Sequence, residues 1–151
     1  MARYTSAYNG TALSTSNDTR TLVTTATAAG SVLRVSCWDV GGEATSQAVN
    51  RVVLNRPGTN GITPTNTVPE KIDPASPAAS FTNASGWSTQ PVLSANDVLD
   101  IAFNAFGGRF TFFTPPDAEI IVGGQGAVAN LSMRSRSGTS TVSGFLIVEE
   151  R

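Results

Sequence analysis

Apolar residues recur at every second position through most of this chain, and that spacing predicts strands. In SVLRVSCWDV (31–40), Leu33, Val35 and Cys37 share one face, and Val32, Arg34, Ser36 and Trp38 share the other. The first set fits a core face. The second fits a half-covered face on which Trp38 packs or makes contact. DVLDIAFNAF (97–106) sets Leu99, Ile101 and Phe103 against Val98, Asp100 and Asn104. Gly107-Gly108 then predicts a tight hairpin turn into RFTFFT (109–114), because both residues accept positive φ. TLVTTATA (21–28), QAVNRVVLN (47–55), the short PVL (91–93) and AEIIVGG (118–124) read as further strands. Gly30, Gly41-Gly42, Arg56-Pro57-Gly58 and Pro115-Pro116-Asp117 read as turns or stops between them.

The C-terminal stretch VANLSMRSRSGTSTVSGFLIVEER (128–151) reads as strand, turn at Ser137-Gly138-Thr139, and strand. Ala127, Ala129, Leu131 and Met133 line one face of its first strand, and Asn130, Ser132 and Arg134 line the other. In the final strand Val142, Leu146 and Val148 share a face, while Phe145 and Ile147 occupy the opposite one. A strand apolar on both faces needs cover on both, from its own domain or from another subunit. No 3.6-residue period persists. Eight or nine short strands with glycine and proline turns predict an all-β antiparallel sandwich or barrel.

Two segments stand apart from this pattern. Residues 1–20 are polar, with Tyr4 and Tyr8 interspersed, and read as an N-terminal arm preceding a single domain over 21–151. The two tyrosines are either anchors on a neighbour or fold back onto their own domain. Residues 57–80 carry most of the chain's prolines, so residues 57–78 form neither a helix nor a central strand. With little aliphatic weight beyond Ile62, Val68 and Ile72, this loop must lie on something, as a lid, a binding loop or an inter-subunit strap.

Composition narrows the function. At 151 residues the chain is one domain long, and 40% hydrophobic content is enough for a folded core. Charged residues make up only 14%, so the polar surface comes mainly from Ser, Thr and Asn, which cost less than charges to bury against a partner. The net charge of -1 argues against a protein built to neutralise nucleic-acid phosphates. One cysteine, Cys37, excludes an intrachain disulfide and reads as a buried thiol. Without histidine, neither a His/Cys zinc site nor a Ser-His-Asp or Cys-His arrangement can be built within one chain. Asp97 and Asp100 fall on opposite faces of a strand, as do Glu149 and Glu150, so no glycosidase pair is marked. The GGQG run at 123–126 lacks the Lys-Ser or Lys-Thr of a phosphate loop and reads as a turn. No catalytic, cofactor-binding or metal-ligating residue is therefore assigned, and no cofactor is expected.

No stretch approaches the roughly 18 apolar residues of a membrane span, so no membrane partner is expected, and synthesis in a cytoplasm is. Arg134 and Arg136 are either solvated or paired with a partner's acids. Trp38 and Trp87, the latter in GWSTQ (86–90), are candidates to stack on a sugar.

The stretches VPEKIDPASPAASFTNASG and FGGRFTFFTPPDAEIIVGGQGAVANLSMRSRSGTSTVSGFLIVEE, with VLRVSCWDVGG around Trp38, resemble small virion proteins of tailed bacteriophages. The shared elements are Asp73-Pro74 with Pro77-Ala78-Ala79, a phenylalanine-rich hairpin ending in Pro-Pro, and a final strand from Ser143-Gly144 to Glu149-Glu150. The likeness spans residues 30–150 and implies a jelly-roll β-sandwich of the tumour-necrosis-factor and complement-C1q type. It also implies a capsid decoration or cement protein on the outer virion surface, a homotrimer that bridges subunits of the major capsid protein without touching nucleic acid. Tyr4, Tyr8, Trp38, Pro74, Pro77, Trp87, Arg134, Arg136, Phe145 and Ile147 are then the candidate partner contacts. The alternative is a carbohydrate-binding, host-recognising module of a head or tail fibre.

Overall fold

The computed structural model describes residues 1–24, 32–122 and 130–151. The expected turns at Gly30 and GGQG, the ends of two expected strands, and Ala127 and Ala129 lie outside the described residues. The elements are β1 (Ala2–Ala12), β2 (Arg20–Thr24), β3 (Leu33–Glu43), β4 (Val49–Thr59), β5 (Thr65–Thr67), β6 (Glu70–Lys71), β7 (Phe81–Ser85), β8 (Val92–Asn104), β9 (Phe106–Phe113), β10 (Ile120–Val122), β11 (Leu131–Ser137) and β12 (Thr141–Glu150). They form two antiparallel sheets packed as a sandwich. The first runs β10-β3-β12-β1-β6, with β9 also on β3; the second runs β5-β7-β2-β11-β4-β8. Val142, Leu146 and Val148 of β12 face Val52, Leu54, Leu22, Leu131 and Met133 of the second sheet across the core.

The expected arm is a strand of the sandwich. β1 pairs with β12 from Ala2↔Glu150 to Ala12↔Thr141, and its other edge takes β6. Tyr4, Ser6 and Tyr8 point inward and are buried, whereas Arg3 and Ala7 are exposed. The Tyr4 ring meets Phe81 edge-on at 5.6 Å, and its hydroxyl donates to the Pro77 carbonyl at 3.1 Å. The Tyr8 hydroxyl donates to the Asp39 carbonyl at 2.6 Å, passing over Gly144, where any side chain would collide with it. The two tyrosines thus fold back, and no boundary separates residues 1–20 from the domain.

Burial is the main cause that pushes the Tyr8 phenol far above its ordinary value near 10. The neutral phenol therefore belongs to the fold. Its stabilisation is complete below pH 10 and falls as pH rises above it, because the unfolded state then sheds the proton first. A melting temperature that drops between pH 10 and 11, with a smaller drop in Tyr8→Phe, is the expected result in a thermal scan.

Strand faces differ from simple alternation where bulges intervene. Ile147 pairs with Cys37 but Val148 pairs with Val35, so Ser36 is an extra residue on β3. This shift turns the second half of the strand over. Trp38 and Val40 join Leu33 and Val35 in the core, and Cys37 moves to the outer face. Gly41-Gly42 is not a turn, since β3 continues to Glu43. Nor do β8 and β9 form a hairpin: β8 pairs β4 in the second sheet and β9 pairs β3 in the first. The chain changes sheets at Ala105, whose N–H donates to Ala48 at 2.7 Å and whose carbonyl accepts from Ala44 at 3.0 Å. Gly42 lies directly against the Ala105 backbone, with no room for a Cβ. Gly42→Ala is expected to cost about 1–3 kcal/mol by this overpacking, read as a lower urea midpoint.

Arg56-Pro57-Gly58 does not stop β4 either. The strand runs on to Thr59 through bulges at Asn55 and Pro57, where the missing proline donor is tolerated. Asn55 anchors this irregular stretch: its amide donates to Ser94 O at 3.0 Å, Asn96 O at 3.1 Å and Asp97 Oδ1 at 2.7 Å. The proline-rich segment then adds only short edge strands. β5 pairs β7, which pairs β2 in the second sheet, and β6 pairs β1 in the first. Val68-Pro69 carries the chain from one sheet edge to the other, so this insert lies on its own sandwich.

Candidate interaction surfaces

The outer face of the second sheet is covered by the chain itself over β2 and β11, while Val49, Arg51, Asp100, Ala102 and Asn104 of β4 and β8 stay exposed. Thr21 and Ser132 sit side by side on it, completely buried. Residues 86–91 strap across them. Trp87 Nε1 donates to Thr21 Oγ1 at 3.2 Å, and that hydroxyl donates to Asp18 Oδ2 at 2.8 Å. Arg134 Nε donates to Asp18 Oδ1 at 2.6 Å, and Arg134 Nη2 to Pro91 O at 2.7 Å. Gln90 Oε1 accepts from the Asp18 N–H at 2.9 Å. Arg134 is thus spent on an internal ion pair with a carboxylate whose side chain is 0% exposed. Arg136 pairs with Asp97 at 2.6 Å on the rim. Trp87 is 8% exposed and Trp38 0%, so neither ring offers a face on which a sugar could stack. For these two residues that expectation is corrected: the strap and the Ser36 bulge bury them.

The outer face of the first sheet has no such strap among the described residues. Cross-strand register places Phe113, Cys37, Ile147 and Thr5 in one row, and Thr111, Asp39, Phe145 and Ala7 in the next. Phe113 is 70% exposed, while Phe145 and Ile147 are half-buried. Cys37 lies beneath them; burial and then the Asp39 charge push its thiol up, so it stays protonated at neutral pH. Charges border this apolar middle in opposite-sign pairs. Arg109 meets Asp39 at 2.8 Å at one end. At the other, Arg3–Glu149 (3.0 Å), Arg34–Glu149 (3.6 Å), Arg34–Glu119 (2.8 Å) and Arg151–Glu119 (3.3 Å) form a continuous network.

A second exposed apolar region runs along the proline-rich edge. Ile62, Val68 and Ile72 are all exposed there, as are Pro74 and Pro77. The edge is braced rather than loose. Asp73 caps its own turn, with Oδ1 accepting from Ala75 N at 2.9 Å and its carbonyl from Ser76 N at 3.0 Å. Ile72 N donates to Arg3 O at 3.0 Å, and Tyr4 holds Pro77. An open cleft of about 380 Å³ lies beside it, lined by Met1, Ala2, Ser76, Pro77, Glu150 and Arg151.

Of the residues expected at a surface, the structure places Phe145 and Ile147 on the open sheet face and Pro74 and Pro77 on the open edge. Tyr4, Tyr8, Trp38, Trp87 and Arg134 are internal. Phe113 and its row were missed as surface residues, because the bulge and the sheet crossing that gather them leave no mark in residue spacing. Among the described residues, fold and surfaces together define a β-sandwich with one partly self-covered face, one open apolar face and one braced edge with exposed apolar residues. Compared with family models, curated proteins and solved structures, the chain matches none.

Proposed function

We propose that this protein is a structural component of a bacteriophage shell, one that decorates or cements the capsid by bridging neighbouring major capsid subunits from outside. The observation that carries this reading is the proline-rich edge. It is tied into both sheets, yet presents Ile62, Val68, Ile72, Pro74 and Pro77 to solvent. A braced edge loses little entropy on docking, which suits many weak contacts repeated around a shell. The strand order supports a jelly roll as the finer fold. β1, β12, β3 and β9 lie adjacent in one sheet and β2, β11, β4 and β8 in the other, so the chain alternates between sheets except from β4 to β8, which pair directly, an order that fits the two Greek keys of a jelly roll.

Shells of the encoding phage, prepared without this protein, provide the test. Saturable binding of the full chain and a raised shell-disassembly temperature are expected. Val68→Asp with Ile72→Asp, both at exposed positions, is expected to weaken binding at least about 30-fold without changing the circular dichroism spectrum. Shells that take up none of the protein would overturn the reading.

A further inference from the structure

We propose that the outer face of the first sheet is an interface between two copies of this chain, related by a two-fold axis and packed sheet on sheet. The inference goes beyond the shell-binding role and uses a different surface.

Placement is the first argument. β12 is the middle strand of this sheet, flanked by β1 and β6 on one side and by β3 with β9 and β10 on the other. Its outward Phe145 and Ile147 therefore sit at the centre of the face. A two-fold contact brings a central patch onto its own copy, which is what isologous packing demands. The resulting anatomy, with apolar residues in the middle and paired charges around them, is that of a specific interface.

Charge chooses the occupant. The four arginines on the face, Arg3, Arg34, Arg109 and Arg151, share three acids, Asp39, Glu119 and Glu149. A fourth acid, Glu43, accepts from the Ser143 hydroxyl on the same face. These four arginines and four acids leave no net charge between them to recruit an acidic or basic partner. A second copy meets neither repulsion nor an unpaired buried charge.

Area completes the argument. Four full strands about 4.8 Å apart, over the length from Ser143 to Glu149, with the two residues of β6 at the edge, give roughly 475 Å² per copy. The pair would bury about 950 Å², close to the roughly 1,000 Å² that a specific interface needs. On the second sheet the strap occupies the middle of the outer face, over Thr21 and Ser132, so no central patch is open there.

Sedimentation equilibrium of the full chain tests this. A particle of about twice 15.6 kDa is expected at micromolar concentration. Phe113→Asp and, separately, Thr111→Arg, both at exposed positions of the face, are expected to weaken the pair at least about 30-fold. Val49→Asp, equally exposed but on the second sheet, should leave the pair intact and controls for a general effect of added charge. A monomer up to about 100 μM, a pair indifferent to both face variants, or the trimer that the resemblance implies would each overturn the proposal. The two readings fail separately: a pair that binds no shells defeats only the shell-binding role, and a monomer that binds shells defeats only this one.

Discussion

Removal of residues 2–12 abolishes the folded state. The truncated chain is expected to lose its β-type circular dichroism and its cooperative thermal transition. β1 occupies the position between β12 and β6, so its loss strips one full edge from β12 and leaves β6 without a partner. It also removes Tyr4 and Tyr8, both among the buried core residues. Rings of this size bury roughly 150–250 Å², a gross contribution of about 4–6 kcal/mol each. The net stability of a domain is only about 5–15 kcal/mol, so losing both rings and the strand exceeds what the remaining sandwich can absorb. A truncated chain that melts cooperatively near the full-length temperature would show that β1 is dispensable. Tyr8→Phe is the milder companion. It keeps the ring and loses the bond to Asp39, at a cost of about 1 kcal/mol.

Breaking the Asp18–Arg134 pair is the second large effect. Asp18→Ala is expected to lower stability by about 3–5 kcal/mol in urea titration, because it leaves the Arg134 guanidinium beneath the strap without its carboxylate. The substitution also strips the acceptor from Thr21, whose hydroxyl holds Trp87, so the strap should loosen and the Trp87 emission shift to the red. Replacing both partners, as Asp18→Leu with Arg134→Met, removes the stranded charge. The double variant is expected to be more stable than Asp18→Ala alone. A cost below about 1 kcal/mol for Asp18→Ala would show that the strap does not depend on the pair.

The region where expectation and structure part most is the N-terminus. Tyr4, Ser6 and Tyr8 do have a period of two, but serine, threonine and asparagine between and around them give the segment the composition of an arm. Burial of Ser6 becomes tolerable only within a sheet, where backbone pairing satisfies the strand around it. Similar reasoning covers Trp38. Its position opposite Leu33 and Val35 follows from alternation, and one extra residue at Ser36 reverses it. The partner of Arg134 lies 116 positions earlier in the chain, and no local pattern points to it.

Period-two spacing, the lack of any helical repeat, and proline density determined by themselves that this chain is an antiparallel β protein whose residues 57–78 add no helix. They also placed Val142, Leu146 and Val148 on one face of the final strand and Phe145 and Ile147 on the other. Those properties follow from backbone geometry within a few residues. Only the tertiary structure decided that β1 is a core strand, that residues 97–114 cross between sheets, which face of β12 turns inward, and that a strap covers part of the second sheet while none of the described residues straps the first. Each of these depends on which distant strand supplies the neighbour, and on single-residue bulges whose small energies are set by packing across the sandwich rather than by local sequence.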